Sequence, residues 1–223
     1  MKKTIAIIPA RGGSKRLPKK NILPLDGNPL VAHSIQFAIT NASVVDAVFV
    51  STDDPEIKEI ALAYGALVLD RPAELSGDTT PTIEVLQDAI LQLDNDVENI
   101  VLLQPTNPLR PKKLLAEAYS TFKNHLGDSL MTVTRNHQKF GKIIEGRFEP
   151  FNYTMGQRSQ DLEPLYFENG LLYIAKSQII KEGNLLGKKN IPFIVEHPFA
   201  HIDIDTQEDL DYANYILTHF KDA

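Results

Sequence analysis

Through the first 125 residues, short apolar runs alternate with segments of helical period, and that alternation restricts the chain to one broad architecture. Thr4–Ile8 reads as a buried strand, and Leu30–Ala42 as a helix with apolar positions at Leu30, Val31, Ile35, Ala38 and Ile39. Ala47–Ser51 is a second strand, ended by Thr52-Asp53-Asp54-Pro55. Asp54 is a good N-cap with Pro55 at the first helical position, so a helix is expected over Pro55–Tyr64, closed by Gly65. A strand Leu67–Leu69, a helix Thr82–Leu93, a strand Asn99–Leu103 and a helix Pro111–His125 continue the series. Continuous apolar strands separated by helices predict a parallel sheet covered on both faces, an α/β fold.

After residue 128 the pattern changes. Leu130–Thr134 is a strand, and Lys142–Ile144 followed by Glu145-Gly146 is the first arm of a hairpin. Residues 148–168 are polar, aromatic and irregular, without a helical period. Leu171–Ala175 is a strand, Ser177–Glu182 a short helix ended by Gly183, and Phe193–Glu196 a final strand. Thr206 caps a helix running to about Leu217, with Asp209 at the position where a full capping box wants Glu or Gln, so only a partial box is expected. No repeat or linker divides the chain. The expectation is one domain over 1–223, with a dimerisation or lid excursion at about 135–170.

The first strand runs into Pro9-Ala10-Arg11-Gly12-Gly13-Ser14-Lys15-Arg16-Leu17-Pro18-Lys19-Lys20-Asn21. Five of the ten positions from Arg11 to Lys20 are cationic, in a chain whose formal net charge is −6. A solvated basic turn is one reading. The other is a phosphate site, because open α/β sheets bind ligands outside the carboxyl ends of their strands. Gly12 and Gly13 let backbone N–H groups approach an anion, and Arg11, Lys15, Arg16, Lys19 and Lys20 can neutralise phosphate charge. Neither a Walker P-loop nor a dinucleotide Gly-x-Gly-x-x-Gly fingerprint occurs, which removes the main support for kinase and NAD-binding readings. The excess of 29 Asp plus Glu over 23 Lys plus Arg argues against general nucleic-acid binding.

Three further segments carry polar chemistry. In His201-Ile202-Asp203-Ile204-Asp205-Thr206, an extended backbone turns Asp203 and Asp205 to one side. The pair either helps cap the following helix or holds a hard divalent cation, which takes one or two carboxylates plus phosphate oxygens. Gln104-Pro105-Thr106-Asn107-Pro108-Leu109-Arg110 follows a strand and is stiffened by two prolines, as a connecting turn or as a wall that positions a ligand. Arg158-Ser159-Gln160-Asp161 and Tyr166-Phe167-Glu168-Asn169-Gly170 combine a guanidinium, amides and aromatic faces, a mix found in ordinary loops and suited equally to a polar organic acid. The six histidines show no metal-ligand spacing. The absence of cysteine excludes disulfides and fits a cytoplasmic protein. No apolar run approaches the roughly 20 residues needed to cross a bilayer. The Met1-Lys2-Lys3-Thr4 opening resembles a signal n-region, but Pro9, Arg11 and Lys15 cut its apolar segment short.

Taken in order, Ile8–Asn21, Val50-Ser51-Thr52-Asp53, Arg71-Pro72-Ala73-Glu74-Leu75, Leu103–Arg110, Glu168-Asn169-Gly170 and Ile202–Thr206 resemble the acylneuraminate cytidylyltransferase (CMP-sialic acid synthetase) family. The resemblance implies a parallel nucleotide-binding sheet with a small dimerisation excursion. It implies that the anomeric hydroxyl of a nine-carbon α-keto acid sugar attacks the α-phosphate of CTP, giving CMP-sugar and pyrophosphate. Ala10, Arg11, Gly12, Gly13, Ser14, Lys20, Asn21, Arg71 and Thr82 would bind the nucleotide, with Arg11 and Lys20 on the triphosphate; Thr82 keeps the hydroxyl of an expected serine. Gln104, Lys142, Arg158, Phe167 and Asn169 would line the acid-sugar pocket. Asp203 and Asp205 would hold Mg²⁺, with Mn²⁺ a possible substitute, and Asp205 would also help deprotonate the nucleophile. A homodimer sharing its sugar pockets is implied, without nucleic acid or membrane as partner. Legionaminic, pseudaminic and 3-deoxy-manno-octulosonic acids are the alternative substrates. A catalytically silent nucleotide-binding protein is the alternative of another class.

Overall fold

The apolar runs form the centre of a seven-stranded sheet in a computed structural model that describes residues 3–93 and 96–220. Met1 and Lys2 of the leader-like opening lie outside the described residues. In chain order the elements are β1 (Lys3–Pro9), β2 (Pro24–Leu25), β3 (Asn28–Pro29), α1 (Leu30–Thr40), β4 (Ala47–Thr52), α2 (Pro55–Ala63), β5 (Leu67–Asp70), α3 (Thr82–Leu91) and β6 (Val97–Leu102). They continue with α4 (Leu114–Asn124), β7 (Ser129–Asn136), β8 (Gly141–Ile144), β9 (Arg147–Pro150), β10 (Leu165–Lys176), α5 (Ser177–Lys181), β11 (Asn190–Ile194) and α6 (Gln207–His219).

The strand order is β11-β7-β10-β6-β1-β4-β5. Six strands are parallel; β10 runs antiparallel between β6 and β7. Both faces are covered, as continuous apolar strands require. Ala6 and Ile8 of β1 point into a core with Val31 and Ile35 of α1, Ile57 and Ala61 of α2, and Leu115 and Phe122 of α4. Ile5 and Ile7 point the other way, onto Leu86, Ala89 and Ile90 of α3 and Ile180 of α5.

Three local expectations change. The capping box of α6 is complete: Asp209 Oδ2 accepts from the Thr206 N–H at 2.8 Å and from the Asp205 N–H at 3.0 Å, and the Thr206 hydroxyl accepts from the Asp209 N–H at 3.3 Å. The shorter carboxylate therefore reaches. Residues 165–168, expected to be irregular, begin β10 and pair with β7, Phe167 opposite Thr134. Their partner lies about thirty residues upstream, so local pattern does not reveal it. The last sheet strand is Asn190–Ile194 rather than Phe193–Glu196, its register set by Asn190 opposite Ser129. The hairpin β8–β9 forms as expected around Glu145 and Gly146, both at positive φ, and makes a sheet of its own.

Arg110 ties the layers together from inside. Its Nε donates to Leu171 O at 2.6 Å, Nη1 to Ser34 Oγ at 2.9 Å and Nη2 to Gln104 O at 2.9 Å, with the guanidinium over the Phe37 ring. Burial pushes this group down to about 9. Arg110→Ala strands buried carbonyl acceptors and is expected to destabilise the fold by about 3–5 kcal/mol. Arg110→Lys recovers only part of this, because one ammonium does not reproduce a planar fork. Urea unfolding of both variants checks the ordering.

Candidate active site

Four of the polar segments singled out in the sequence sit at the carboxyl ends of parallel strands: the basic loop after β1, Asp53 after β4, Arg71 after β5 and Gln104 after β6. Together they enclose a cleft of about 240 Å³ that includes Arg11, Ser14, Lys20, Asn21, Arg71, Thr82 and Gln104 in its walls. It opens at one end onto a basic depression floored by Lys20, Lys15, Arg16 and Asp205. Gln104 is shared with a third hollow that contains Phe167, Glu168, Asn169, Tyr173, His201 and Asp203. Arg11, Ser14, Lys20 and Asp78 line both of the first two hollows, so the cleft adjoins the cationic depression on one side and the Gln104 hollow on another.

Apolar packing beneath these hollows sets their geometry. Leu17, in the middle of the basic loop, is buried with Leu25, Ile202, Ile204, Leu210 and Ala213. Ile202 and Ile204 are 2% and 0% exposed, so Asp203 and Asp205, which alternate with them, face the other way. The expected period of two holds although the segment joins no sheet. It is docked by Ile204 N–H donating to Thr106 O at 2.8 Å and by Asn107 Nδ2 donating to Ile202 O at 2.9 Å.

Ion pairs connect the charges. Lys20, its side chain only 11% exposed, donates to Asp205 Oδ1 at 2.7 Å, and Arg16 reaches Asp205 Oδ2 at 3.2 Å. Asp78 bridges Arg11 and Lys15 in the same manner. Lys19 turns away to Glu56, so four of the five loop cations face the cleft. Arg71 is held by Ser51, through Nε to Oγ at 3.1 Å and Nη2 to the carbonyl at 2.7 Å, and burial lowers it to about 10. Asn21 donates to Arg11 O at 2.9 Å. Ala10 is fully buried, with its N–H on Ser51 O, so only its carbonyl and chain path bear on the cleft.

The two glycines differ. The Gly12 N–H donates to Asp53 Oδ1 at 3.0 Å and is not available to a ligand, and a Cβ there would sit 2.8 Å from Asp54 Cβ and closer still to its carboxylate. Asp54 is fixed in turn by capping α2 through the Glu56 and Ile57 N–H groups. Gly12 is therefore required for close approach of the loop to α2, whereas Gly13 has nothing within 4 Å of its Cβ position.

Asn169 borders the third hollow, while its side-chain hydrogen bonds run elsewhere. Its side chain turns into the sheet, where Oδ1 accepts from Thr132 Oγ1 at 2.6 Å and from the Leu171 N–H at 3.1 Å, and Nδ2 donates to Thr134 Oγ1 at 2.9 Å. The register of β10 on β7 shifts between Glu168 and Tyr173, and Asn169 fills that bulge. Gly170, at φ +74, lies where a Cβ would be 2.5 Å from Asn107 Oδ1. Lys142 and Arg158 are not brought to the cleft of their own chain. Lys142 lies on the β8–β9 hairpin over the Phe151 ring, and Arg158 is exposed and paired with Asp161. Sequence reasoning missed Asp78 and the Glu168–Tyr173 hydrogen bond, and gave Asp53 and Thr106, which lie within quoted motifs, no role of their own. Burial, followed by that bond, raises Tyr173, keeping it a donor.

Asp203 and Asp205 offer hard oxygen donors on one side. Burial raises the Asp203 carboxyl, Thr106 opposes this by hydrogen bonding, and the charge of Asp205 raises it further. Among the described residues no third His, Cys, Asp or Glu completes a metal cluster. Two carboxylates facing one side are the donor type that hard cations take, and both Asp205 oxygens are engaged by Lys20 and Arg16.

Residues 5–221 match the family model described as Cytidylyltransferase. The chain is 35% identical to pseudaminic acid cytidylyltransferase of Campylobacter jejuni over 96% of both chains. It is 34% identical to N-acylneuraminate cytidylyltransferase of Streptococcus agalactiae, covering 93% of this chain and 51% of that one. CMP-N,N'-diacetyllegionaminic acid synthase of Legionella pneumophila is 35% identical over 92% of each. Among solved structures, CMP:2-keto-3-deoxy-manno-octonic acid synthetase complexed with CTP superposes with a TM-score of 0.73 at 16% identity, over 97% of this chain and 99% of that one.

The contrast between the glycines is measurable. Gly12→Ala is expected to lower stability by about 1–2 kcal/mol through the disturbed Asp54 cap, and Gly13→Ala to stay within about 0.5 kcal/mol of the parent. Equal denaturation midpoints for the two variants would contradict the role given to Gly12.

Proposed function

Because the chain belongs to the cytidylyltransferase family, we propose that it joins CTP to a nine-carbon α-keto acid sugar, releasing pyrophosphate. The observation that carries this reading is the shared lining of adjoining hollows: Arg11 and Lys20 line both the Arg71–Asn21 cleft and the cationic depression, and Gln104 lines both that cleft and the hollow that contains Asp203. Cytidine would lie against Arg71, Asn21 and Thr82, and the triphosphate against Arg11 and Lys20. The acid sugar would lie beside Gln104, Phe167 and Tyr173. Phosphoryl transfer needs mainly alignment and charge neutralisation, and rigidly held donors supply both. Arg71 is fixed by Ser51, and Lys20, only 11% exposed, is held in place before any ligand arrives. Gln104, at the junction of the two hollows, would orient the attacking hydroxyl toward the α-phosphate.

Asp203 and Asp205 would hold Mg²⁺, which when bound supplies charge neutralisation and Lewis acidity at the transferring phosphate. Binding a cation at Asp205 also frees Lys20 and Arg16 for phosphate oxygens. The N-acylneuraminate reading rests on the motifs from Ile8 to Thr206. A pseudaminate reading is favoured by a separate observation, the 96% coverage of both chains in that alignment against about half the length of the N-acylneuraminate relatives.

A homodimer is proposed on the exposed apolar side chains of the excursion: Ile143, Phe151 and Met155 are 79%, 66% and 76% exposed. Covering them with a second copy would remove the cost of that surface. In such a dimer, Lys142 and Arg158, which do not line the hollow of their own chain, would reach that of the partner.

Incubation with CTP, Mg²⁺ and N-acetylneuraminic, pseudaminic, legionaminic or octulosonic acid, followed by pyrophosphate measurement, identifies the acceptor. EDTA is expected to stop turnover, and Asp205→Asn to lower it at least 100-fold, within the range of removing a charge-assisted group at a reacting phosphate. Persistence of the wild-type rate in either case refutes the metal assignment. Mixing Asp205→Asn with Lys142→Ala protein, each inactive alone, should restore activity through hybrid dimers. No recovery would refute the shared pocket.

A further inference from the structure

Asp78 occupies the place where a phosphate is expected. Residues 76–81 pass from the short 3-10 turn Ala73–Leu75 to α3 and lay this carboxylate over the basic loop. Asp78 Oδ1 is 2.8 Å from Arg11 Nη1, and Oδ2 is 2.5 Å from Lys15 Nζ. Arg11 Nη1 also reaches Ser76 O at 3.5 Å, so guanidinium and strap are joined twice. Asp78 lines both the cleft that contains Arg71 and the adjoining cationic depression. Hydrogen bonds from Lys15 and Arg11 hold its carboxyl below the usual carboxylate range. Two oxygens shared between two cations is also how a phosphate engages the same side chains.

Resting on the cytidylyltransferase reading, we propose that Asp78 is a resident anion of the triphosphate site. It holds Arg11 and Lys15 at their binding positions while no nucleotide is present, and gives way to phosphate oxygens when one enters. The apparent affinity of any polyphosphate is then reduced by the fraction of sites in which Asp78 keeps its cations. The same exchange runs in reverse on the product side: Asp78 reclaims both cations as pyrophosphate departs, which favours release. Asp205 makes a matching bridge between Lys20 and Arg16, but there a divalent cation is the expected competitor. At Asp78 the competitor is the substrate itself.

Asp78→Asn keeps the shape and removes the charge. Calorimetric titration of the intact protein with CTP, and separately with inorganic pyrophosphate, is expected to show about three- to tenfold tighter binding of both. The KM for CTP and the inhibition constant of pyrophosphate should fall together. Asp78→Glu, which restores the charge, should return both affinities to within about twofold of the parent, a difference below 0.5 kcal/mol. Unchanged or weaker binding in Asp78→Asn overturns the proposal, since Asp78 would then support the site rather than compete for it. Asp78→Ser gives the same sign test if the asparagine variant folds poorly. Failure of the parent protein to bind CTP would count against the functional reading, whereas the pyrophosphate titration still reads Asp78 alone.

Discussion

The apolar contact between Leu17 and the Ile202–Ile204 pair is what the cleft depends on. A loop with five cations repels itself and is held by little of its own; here one leucine in its middle is buried against two isoleucines from the far end of the chain. Each isoleucine fixes the direction of the aspartate beside it, because alternation in an extended backbone leaves no other choice. The hydrophobic effect thus does the positioning, and electrostatics acts on groups already in place. Helix α6, with its closed capping box, braces the aspartate segment from behind.

A cleft made for a highly charged ligand carries a solution to its own empty state. Four cations face inward, and two carboxylates each bridge a pair of them. Mutual repulsion is relieved while enough positive potential remains to attract an anion. The arrangement also restrains long, flexible side chains before any ligand arrives, so less rotamer entropy is lost when one does.

Most of the parallel half of the fold was legible in the sequence, since β1, β4 and β6 are continuous apolar runs and Asp54-Pro55 marks the helix after β4, as Thr206 marks the C-terminal one. The antiparallel course of β10 was not, because pairing direction and strand order are decided by contacts far apart in sequence, such as Phe167 with Thr134. At the site, the basic loop and the two aspartates stood out through charge and spacing. Asp78 did not, as a lone aspartate in Ser-Gly-Asp-Thr-Thr-Pro has the composition of any turn. Asn169 was recognised as a site residue, but its hydrogen bonds run into the bulge. Gly12 and Gly13 read alike until Asp53 and Asp54 are placed beside one of them.

The insertion of β10 between β6 and β7 also fixes the order in which the molecule is completed during synthesis. When β7 has emerged from the ribosome, β6 is still an open edge with unpaired backbone groups, and β7 has no partner in that half of the sheet. Both wait for residues 165–176, about thirty positions later. Until then, two hydrophobic strands present the kind of edge on which chains associate wrongly. Asn169 and Gly170 lie in the strand that ends this interval, so the bulge they form is completed only when both open edges are closed.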